Sequence, residues 1–480
     1  MPSFVDLDGL RTFKEHLNLS GTGNAILPQV IVSSETGNTV TMSKDDVTLT
    51  ATESSGTWIF TIPYFADWTI TSSDGQRSDS KTISIDTVKI YNTSVYSAKR
   101  YGYRISKTEA DPDARVEYLY DAEGFTPAHM DFENGVFDYG SWADVWFVKD
   151  NKPCMLKTNG TVAYYLDPND YSKKEDGTPS NVANTSTTLN AMAQFPLVWV
   201  YRYEDDDYLY EIVSNEQWDE NYKAYAHTDA DDIIKPYFYT AMFGASGNTS
   251  KLRSLSGQNT LRNVSLNQSV PAATANGSGW HVGSWSQHQL IRTLTVLIGK
   301  SCDTPAVFGY GNQRSSQNES DILPTGGLND KGQFFGYSDS THHVKIFHIE
   351  DFWGNIHKWI VGICANNGTY YAKMTPVGNY NLTSTTGYTN TNVTFVANGT
   401  QTGYISQMSC SEYGLLPIER NGSSSTYFCD FAWHNASGFH TCFVGSTVEG
   451  SKYMGGAFIM GTQSTPNDTY WAIGCVLSYV

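Results

Sequence analysis

The stretch His348-Ile-Glu-Asp-Phe-Trp-Gly-Asn-Ile-His-Lys-Trp-Ile-Val-Gly362 constrains this chain more than any other. Its residues Phe352, Trp353, Ile356, Trp359 and Ile360 fall at helical and near-strand spacings at once, and Gly354-Asn355 interrupts them. Neither a regular helix nor a regular strand carries such a run, so it reads as a turn locked inside a core. At 480 residues with 40% hydrophobic content the chain can bury a large core, and its length points to two to four domains.

Aromatic residues reach 14%, with 31 Tyr and 12 Trp, while charged residues are only 17%. That balance suits β-rich surfaces and wide aromatic packing more than long amphipathic helices. A formal net charge of -18 argues against a phosphate-binding face, because nucleic-acid affinity rests on clustered Lys and Arg. The seven cysteines, Cys154, Cys302, Cys364, Cys410, Cys429, Cys442 and Cys475, form no C-x-x-C pair, so buried free thiols are expected rather than a zinc ribbon or a redox motif. The opening Met-Pro-Ser-Phe-Val-Asp-Leu-Asp has neither a basic nor an apolar leader region, and no run of about 18 apolar residues occurs. The expectation is synthesis in a cytoplasm without membrane insertion, any export following from release of assembled particles.

Along the chain, Leu10, Phe13 and Leu17 make one apolar stripe on a short helix within residues 1–20, docking either on its own domain or on an assembly. Gly21-Thr-Gly-Asn follows as a linker. From 25 to 95 the texture changes to short runs of period two: Val40/Met42, Val47/Leu49/Ala51, Trp58/Phe60/Ile62, Trp68/Ile70 and Ile83/Ile85. Strands at this spacing predict a small antiparallel sandwich. Residues 96–480 lack a second linker and read as one large domain. Within it, about 157–189 is polar and turn-rich and reads as a surface excursion. Phe195-Pro-Leu-Val-Trp-Val-Tyr-Arg-Tyr and Tyr208-Leu-Tyr-Glu-Ile-Val read as a hairpin tipped by Glu204-Asp-Asp-Asp207. A helix is expected from Ser286, its N-cap, to a stop at Gly299, presenting Leu290, Ile291, Leu294, Leu297 and Ile298 to a sheet.

Catalytic signatures are sparse. His342, His343, His348 and His357 lack zinc spacing and read as hydrogen-bonded histidines. No G-x-S-x-G elbow, Walker loop or dinucleotide fingerprint is present. Glu412 and Asp430 are the carboxylates nominated for inspection as a hydrolytic pair. The expectation is no catalytic residue, no metal and no cofactor.

Glu350-Asp-Phe352, followed by Gly354-Asn-Ile-x-x-Trp359, resembles the central motif of C-type-lectin-like folds of the formylglycine-generating-enzyme type. Gly455-Gly-Ala-Phe458, the loop to Tyr470 and Ile473-Gly-Cys-Val-Leu-Ser-Tyr479 resemble the ending of that fold. The same ending is similar to the variable proteins of phages, including those diversified by retroelements. The oxidase chemistry of the enzyme branch does not carry over, since Cys429 and Cys442 lack the Arg-Ser-rich context it requires. Nor does calcium-dependent sugar binding, since Glu-Pro-Asn and Trp-Asn-Asp do not occur. Gly56-Thr-Trp-Ile-Phe-Thr-Ile-Pro63 with Asp67-Trp-Thr-Ile-Thr-Ser-Ser-Asp-Gly75 is similar to immunoglobulin-like or transthyretin-like modules of phage structural and bacterial surface proteins, which implies a spacer.

The resulting expectation is a mainly β chain with an α+β head: an N-terminal helix (1–20), an immunoglobulin-like sandwich (25–95) and a C-type-lectin-like domain (96–480). The resemblance implies a virion protein, a tail-fibre or receptor-binding protein, that recognises a protein or glycan receptor on the bacterial host. It also implies contact with other virion proteins through the N-terminus and a homotrimer. A head-fibre or capsid decoration protein and a virion-associated polysaccharide-degrading enzyme are the alternatives. The ligand-binding residues it places on the C-terminal face are Trp433, His434, Asn435, Phe458, Met460, Thr462, Gln463, Ser464, Asn467 and Tyr470. Alternation along Gly455–Gly461 is expected to leave one of the pairs Phe458/Met460 and Ala457/Ile459 free for contact.

Overall fold

A computed structural model describes residues 27–480 apart from 35–36, 52, 55, 76–77, 87–89, 95–98, 376–377, 396–401 and 452–453. The expected N-terminal helix and the Gly21 linker lie outside the described residues. The fold is mainly β, with 41% strand and 9% helix. The chain divides into two units, Met1–Lys99 and Arg100–Val480.

In the first unit two four-stranded sheets share one core. One sheet runs Glu53–Ser54, Thr57–Thr61, Gln29–Ser33, Ile90–Ser94, and the other Val47–Thr50, Thr39–Lys44, Ala66–Ser73, Ser78–Ile85. Period-two sequence becomes period-two burial: Val30 and Val32, Trp58 and Phe60, and Trp68 and Ile70 point into the core while their neighbours face outward. This is the behaviour of sheets with one face packed and one wet.

The second unit is organised by three larger sheets. A four-stranded sheet runs Val116–Tyr120, Arg100–Ser106, Tyr208–Ser214, Trp199–Glu204, the last two being the expected hairpin. A seven-stranded sheet runs Asp170–Lys174, Val162–Asp167, Lys152–Leu156, Asn190–Pro196, Tyr237–Ala241, Leu477–Tyr479, Trp280–Val282. An eight-stranded sheet follows the path Thr389–Thr394, Thr369–Ala372, His357–Asn366, Phe439–Val444, Met460–Ser464, Phe431–His434, Thr402–Tyr404, with Ile473–Cys475 beside His357–Asn366. The segment 157–189 is therefore only partly a surface excursion. Its polar turn is exposed, but it contributes two strands to the seven-stranded sheet, and Leu166, Tyr171 and Val182 are core residues. Tyr171 is drawn in by hydrogen bonds of its hydroxyl to His348 Nδ1 (2.7 Å) and the Gly332 carbonyl (3.1 Å).

The helix Trp285–Gly299 is buried along all its length, on every side rather than one. Its N-cap is Ser284, two residues before the expected Ser286, and the Ser284 hydroxyl accepts the Gln287 N–H. Its left-handed terminal residue is Lys300, not Gly299. Gly299 is small for another reason: a Cβ there would sit 2.8 Å from the Phe308 ring. Gln289, Arg292, Thr293 and Thr295 of this buried helix are matched to hydrogen-bond partners, while the Gln287 side-chain amide is buried without one among the described residues. Arg292 meets Glu211 of the strand Tyr208–Ser214 through two 2.6 Å hydrogen bonds, as burial of a charge demands.

The stretch 348–362 is a turn inside the core. His348, Asp351, Gly354 and Asn355 all take positive φ. The Asn355 side chain bonds both the N–H and the carbonyl of Leu323, while Trp353 donates to the Gly309 carbonyl and Trp359 to the Val264 carbonyl. From His357 the chain straightens into a ten-residue strand that is buried almost throughout, as a central strand covered on both faces must be.

Candidate functional site

Three neighbouring strands, Phe431–His434, Met460–Ser464 and Phe439–Val444, meet the start of His357–Asn366 at one end of the eight-stranded sheet. The close fit of this end depends on Gly461, where a Cβ would lie 2.0 Å from Phe443 Cζ. With nothing at that position, Phe443 lies 4.6 Å from His357 and 6.0 Å from Trp433, ring centre to ring centre. The three rings, with Trp359, floor a cavity of about 480 Å³, within the range of small-ligand sites.

Its walls come from two loops. The loop leaving Ser464 turns back at Thr465, whose N–H and hydroxyl donate to the Asp468 carboxylate at 2.7 and 2.8 Å. Asn467 leaves the cavity and accepts from the Asn267 amide at 2.6 Å. Tyr470 then reaches across to Glu449 on the opposite wall, its hydroxyl donating at 2.6 Å. Gln463, Ser464, Asp468, Thr469 and Tyr470 thus face Ser446, Thr447, Glu449 and Met454 across an aromatic floor. Ile473, buried, anchors the return of the loop beside His357.

His357 is an uncharged member of this set. Burial pushes its pKa down to about 3, and its Nδ1 bonds the Gly445 carbonyl. A carbonyl only accepts, so Nδ1 carries the proton and Nε2 is left as an acceptor.

Of the residues the sequence nominated, Trp433, Gln463, Ser464 and Tyr470 come together at this cavity. Four others are corrected by burial. Phe458 packs on Phe428 in the main core, Met460 lies among Ile360, Cys442 and Val444, and Thr462 and His434 bond one another. His434 also contacts Tyr370 and Phe395. The alternation argument fails because 455–459 is not a strand, and Ala457, Phe458, Ile459 and Met460 are all buried. Gly455 and Gly456 do mark a close approach, but to Ser446 and to Thr304 and Pro305, not to Trp359. Asn435 shapes the turn after its strand, its carbonyl side-chain oxygen accepting from Ser437.

The sequence reading missed His357, Phe443, Glu449 and Asp468. A signal existed for His357, three residues after the turn glycine Gly354 and so at the mouth of its strand, and for Asp468, which lies in the loop to Tyr470 that the resemblance marked. Glu449 comes from a loop with no pattern to mark it.

The other nominated groups lie elsewhere. Glu412 is exposed and accepts from the Tyr225 hydroxyl. Asp430 is buried, bonded to the Phe458 N–H, and its pKa is raised by burial. His343, Glu350 and Asp351 are the only cluster of three candidate metal ligands among the described residues. His343 bonds Asp351 through Nδ1 (2.8 Å) and the Pro324 carbonyl through Nε2 (3.1 Å). Asp351 and Glu350 hold its pKa up at about 9 against burial. With Nδ1 on Asp351 and Nε2 on the Pro324 carbonyl, His343 fastens the 348–362 turn to the loop at Pro324. All seven cysteines are buried and unpaired.

Comparison with protein-family models and with curated proteins gave no match.

Proposed function

We propose that this chain is a phage virion protein of the tail-fibre or receptor-binding kind, which recognises the bacterial host surface through the cavity floored by His357, Trp433 and Phe443. In this reading the first unit is an immunoglobulin-like spacer, the second a C-type-lectin-like head, and residues 1–20 attach a homotrimer to the particle. One observation carries the proposal. The variable-protein resemblance points to the 462–470 loop, and that loop forms one wall of a concave site while both its ends are buried strands. A loop held in this way can change side chains without disturbing the fold, and its aromatic, amide and hydroxyl content suits recognition.

The site is read as binding without turnover. Asp468 spends its oxygens on Thr465, and Glu449 takes the Tyr470 hydroxyl, so both carboxylates have positioning partners. The test is adsorption of purified protein to host cells, comparing wild type with Gln463→Ala, Tyr470→Ala and Trp433→Ala after circular dichroism shows each folded. Loss of adsorption is expected. Folded variants that adsorb like wild type would favour the decoration reading, and release of reducing ends from host polysaccharide would favour the enzyme.

A further inference from the structure

We infer that the cavity takes an uncharged hexopyranoside unit of a surface glycan and holds it without a metal ion; this rests on the reading of the cavity as the recognition site. The inference comes from the chemistry of the walls. The floor is made of flat rings, of which Trp433 is the large, partly exposed one. Above it stand groups that accept or exchange hydrogen bonds: Glu449, Gln463 and the His357 Nε2 left free by the Gly445 bond. A pyranose matches both halves, since its C–H face packs on an aromatic ring while its edge carries several O–H donors.

Charge narrows the class further. Two carboxylates and no Lys or Arg line the cavity among its described residues, and the whole chain carries a formal net charge of -18. A uronate, sialate or phosphorylated sugar would bring its anion against Glu449 and Asp468 with no cation among the described lining residues to offset it, which is the repulsive element that gives specificity. A metal bridge is disfavoured by the same two groups. Asp468 is tied by both oxygens to Thr465, and neither carboxylate belongs to a cluster of three candidate ligands among the described residues.

Role assignments follow. Trp433 is the stacking surface, Glu449 accepts from ligand hydroxyls in the orientation Tyr470 sets, and Gln463 supplies an amide that both donates and accepts.

The experiment uses the purified full chain on a panel of immobilised oligosaccharides, with calorimetry for those that bind. The panel pairs neutral and N-acetylated hexosides with uronic-acid and phosphorylated counterparts, with and without EDTA. Binding confined to uncharged sugars, unchanged by EDTA and reduced at least tenfold in Trp433→Ala, is expected. Gln463→Ala and Glu449→Gln, at less buried positions, should each cost several-fold and keep the test decisive if Trp433→Ala does not fold. Equal or tighter binding of anionic sugars, loss of binding in EDTA, indifference to all three variants, or no sugar binding at all would each overturn the inference. Host adsorption by the same variants separates the two claims. Adsorption lost in the variants without any sugar binding would leave the recognition site standing and remove its ligand class. Sugar binding lost in the variants while adsorption is unchanged would do the reverse.

Discussion

Replacing Glu211 by Gln should destabilise the second unit by about 3–5 kcal/mol, the cost of leaving a buried charge without its partner. Glu211 sits between two guanidiniums, Arg202 and Arg292, and all three side chains are at most 5% exposed. One carboxylate oxygen accepts from Arg202 Nε (2.6 Å), Arg292 Nη2 (2.6 Å) and the Thr293 hydroxyl (2.8 Å); the other accepts from Arg292 Nη1 (2.6 Å) and the Tyr103 hydroxyl. Gln keeps the volume but removes the only negative charge in the group and turns one acceptor into a donor. The magnitude can be reached independently. Burial raises the Glu211 pKa, but Arg292, Arg202 and the hydrogen bonds outweigh it and bring it from 4.5 to about 2. At about 1.36 kcal/mol for each pH unit this is worth about 3 kcal/mol. The folded-state pKa is depressed, so this stability is present in full above pH 4.5 and is lost as pH falls toward 2. Urea unfolding, followed by a signal specific to the second unit so that its transition is resolved from that of the first, should show the deficit constant from pH 7 to 5 and shrinking below 4.5. A loss under 1 kcal/mol, or one that does not shrink in acid, would refute the claim that the carboxylate is charged and compensating both arginines.

Three further outcomes are expected. His343 has a raised pKa, so its contribution is complete below pH 6.5 and disappears as pH rises through about 9; the stability gap between wild type and His343→Gln should close over that window in urea titrations. Gly461→Ala would place a methyl 2.0 Å from Phe443 Cζ and should cost about 1–3 kcal/mol, with altered near-ultraviolet dichroism as the Phe443, His357 and Trp433 rings shift. Trp359→Ala removes a buried indole that donates to the Val264 carbonyl and should cost about 3–5 kcal/mol, whereas Asn467→Ala, at an exposed position, should stay within about 0.5 kcal/mol by thermal melting.

How much of the fold was legible depended on whether an element had one dry face or two. The strands of the first unit have one, so Trp58/Phe60 and Trp68/Ile70 announced themselves by alternation and packed as read. The helix Trp285–Gly299 was found from its apolar stripe, but the stripe is only part of its buried surface. Arg292, Gln289 and Thr293 are buried as well, on partners from distant strands that no local pattern names. Capping was misassigned for the same reason. Ser284 and Ser286 are equivalent by type, and only the fold makes Ser284 the residue whose hydroxyl meets the Gln287 N–H.

The site was legible to the extent that it lies on a loop. Gln463, Ser464 and Tyr470 were named because the variable-protein resemblance marks the loop between two strands, and they line the cavity. The residues named by alternation, Phe458 and Met460, were not available: Phe458 lies in a non-strand segment packed on Phe428, and Met460–Ser464 is flanked on both edges and covered on both faces at its start. There, period two carries no information about exposure. The floor was least legible of all. Phe443 reaches the cavity because Gly461, eighteen residues later, leaves room for its ring, and Glu449 is aimed there by Tyr470, twenty-one residues on. A binding surface made from the ends of neighbouring strands depends on such pairs. Its walls are set by which residue is missing a side chain and which hydroxyl spans the gap, and both are properties of the folded sheet rather than of any one segment.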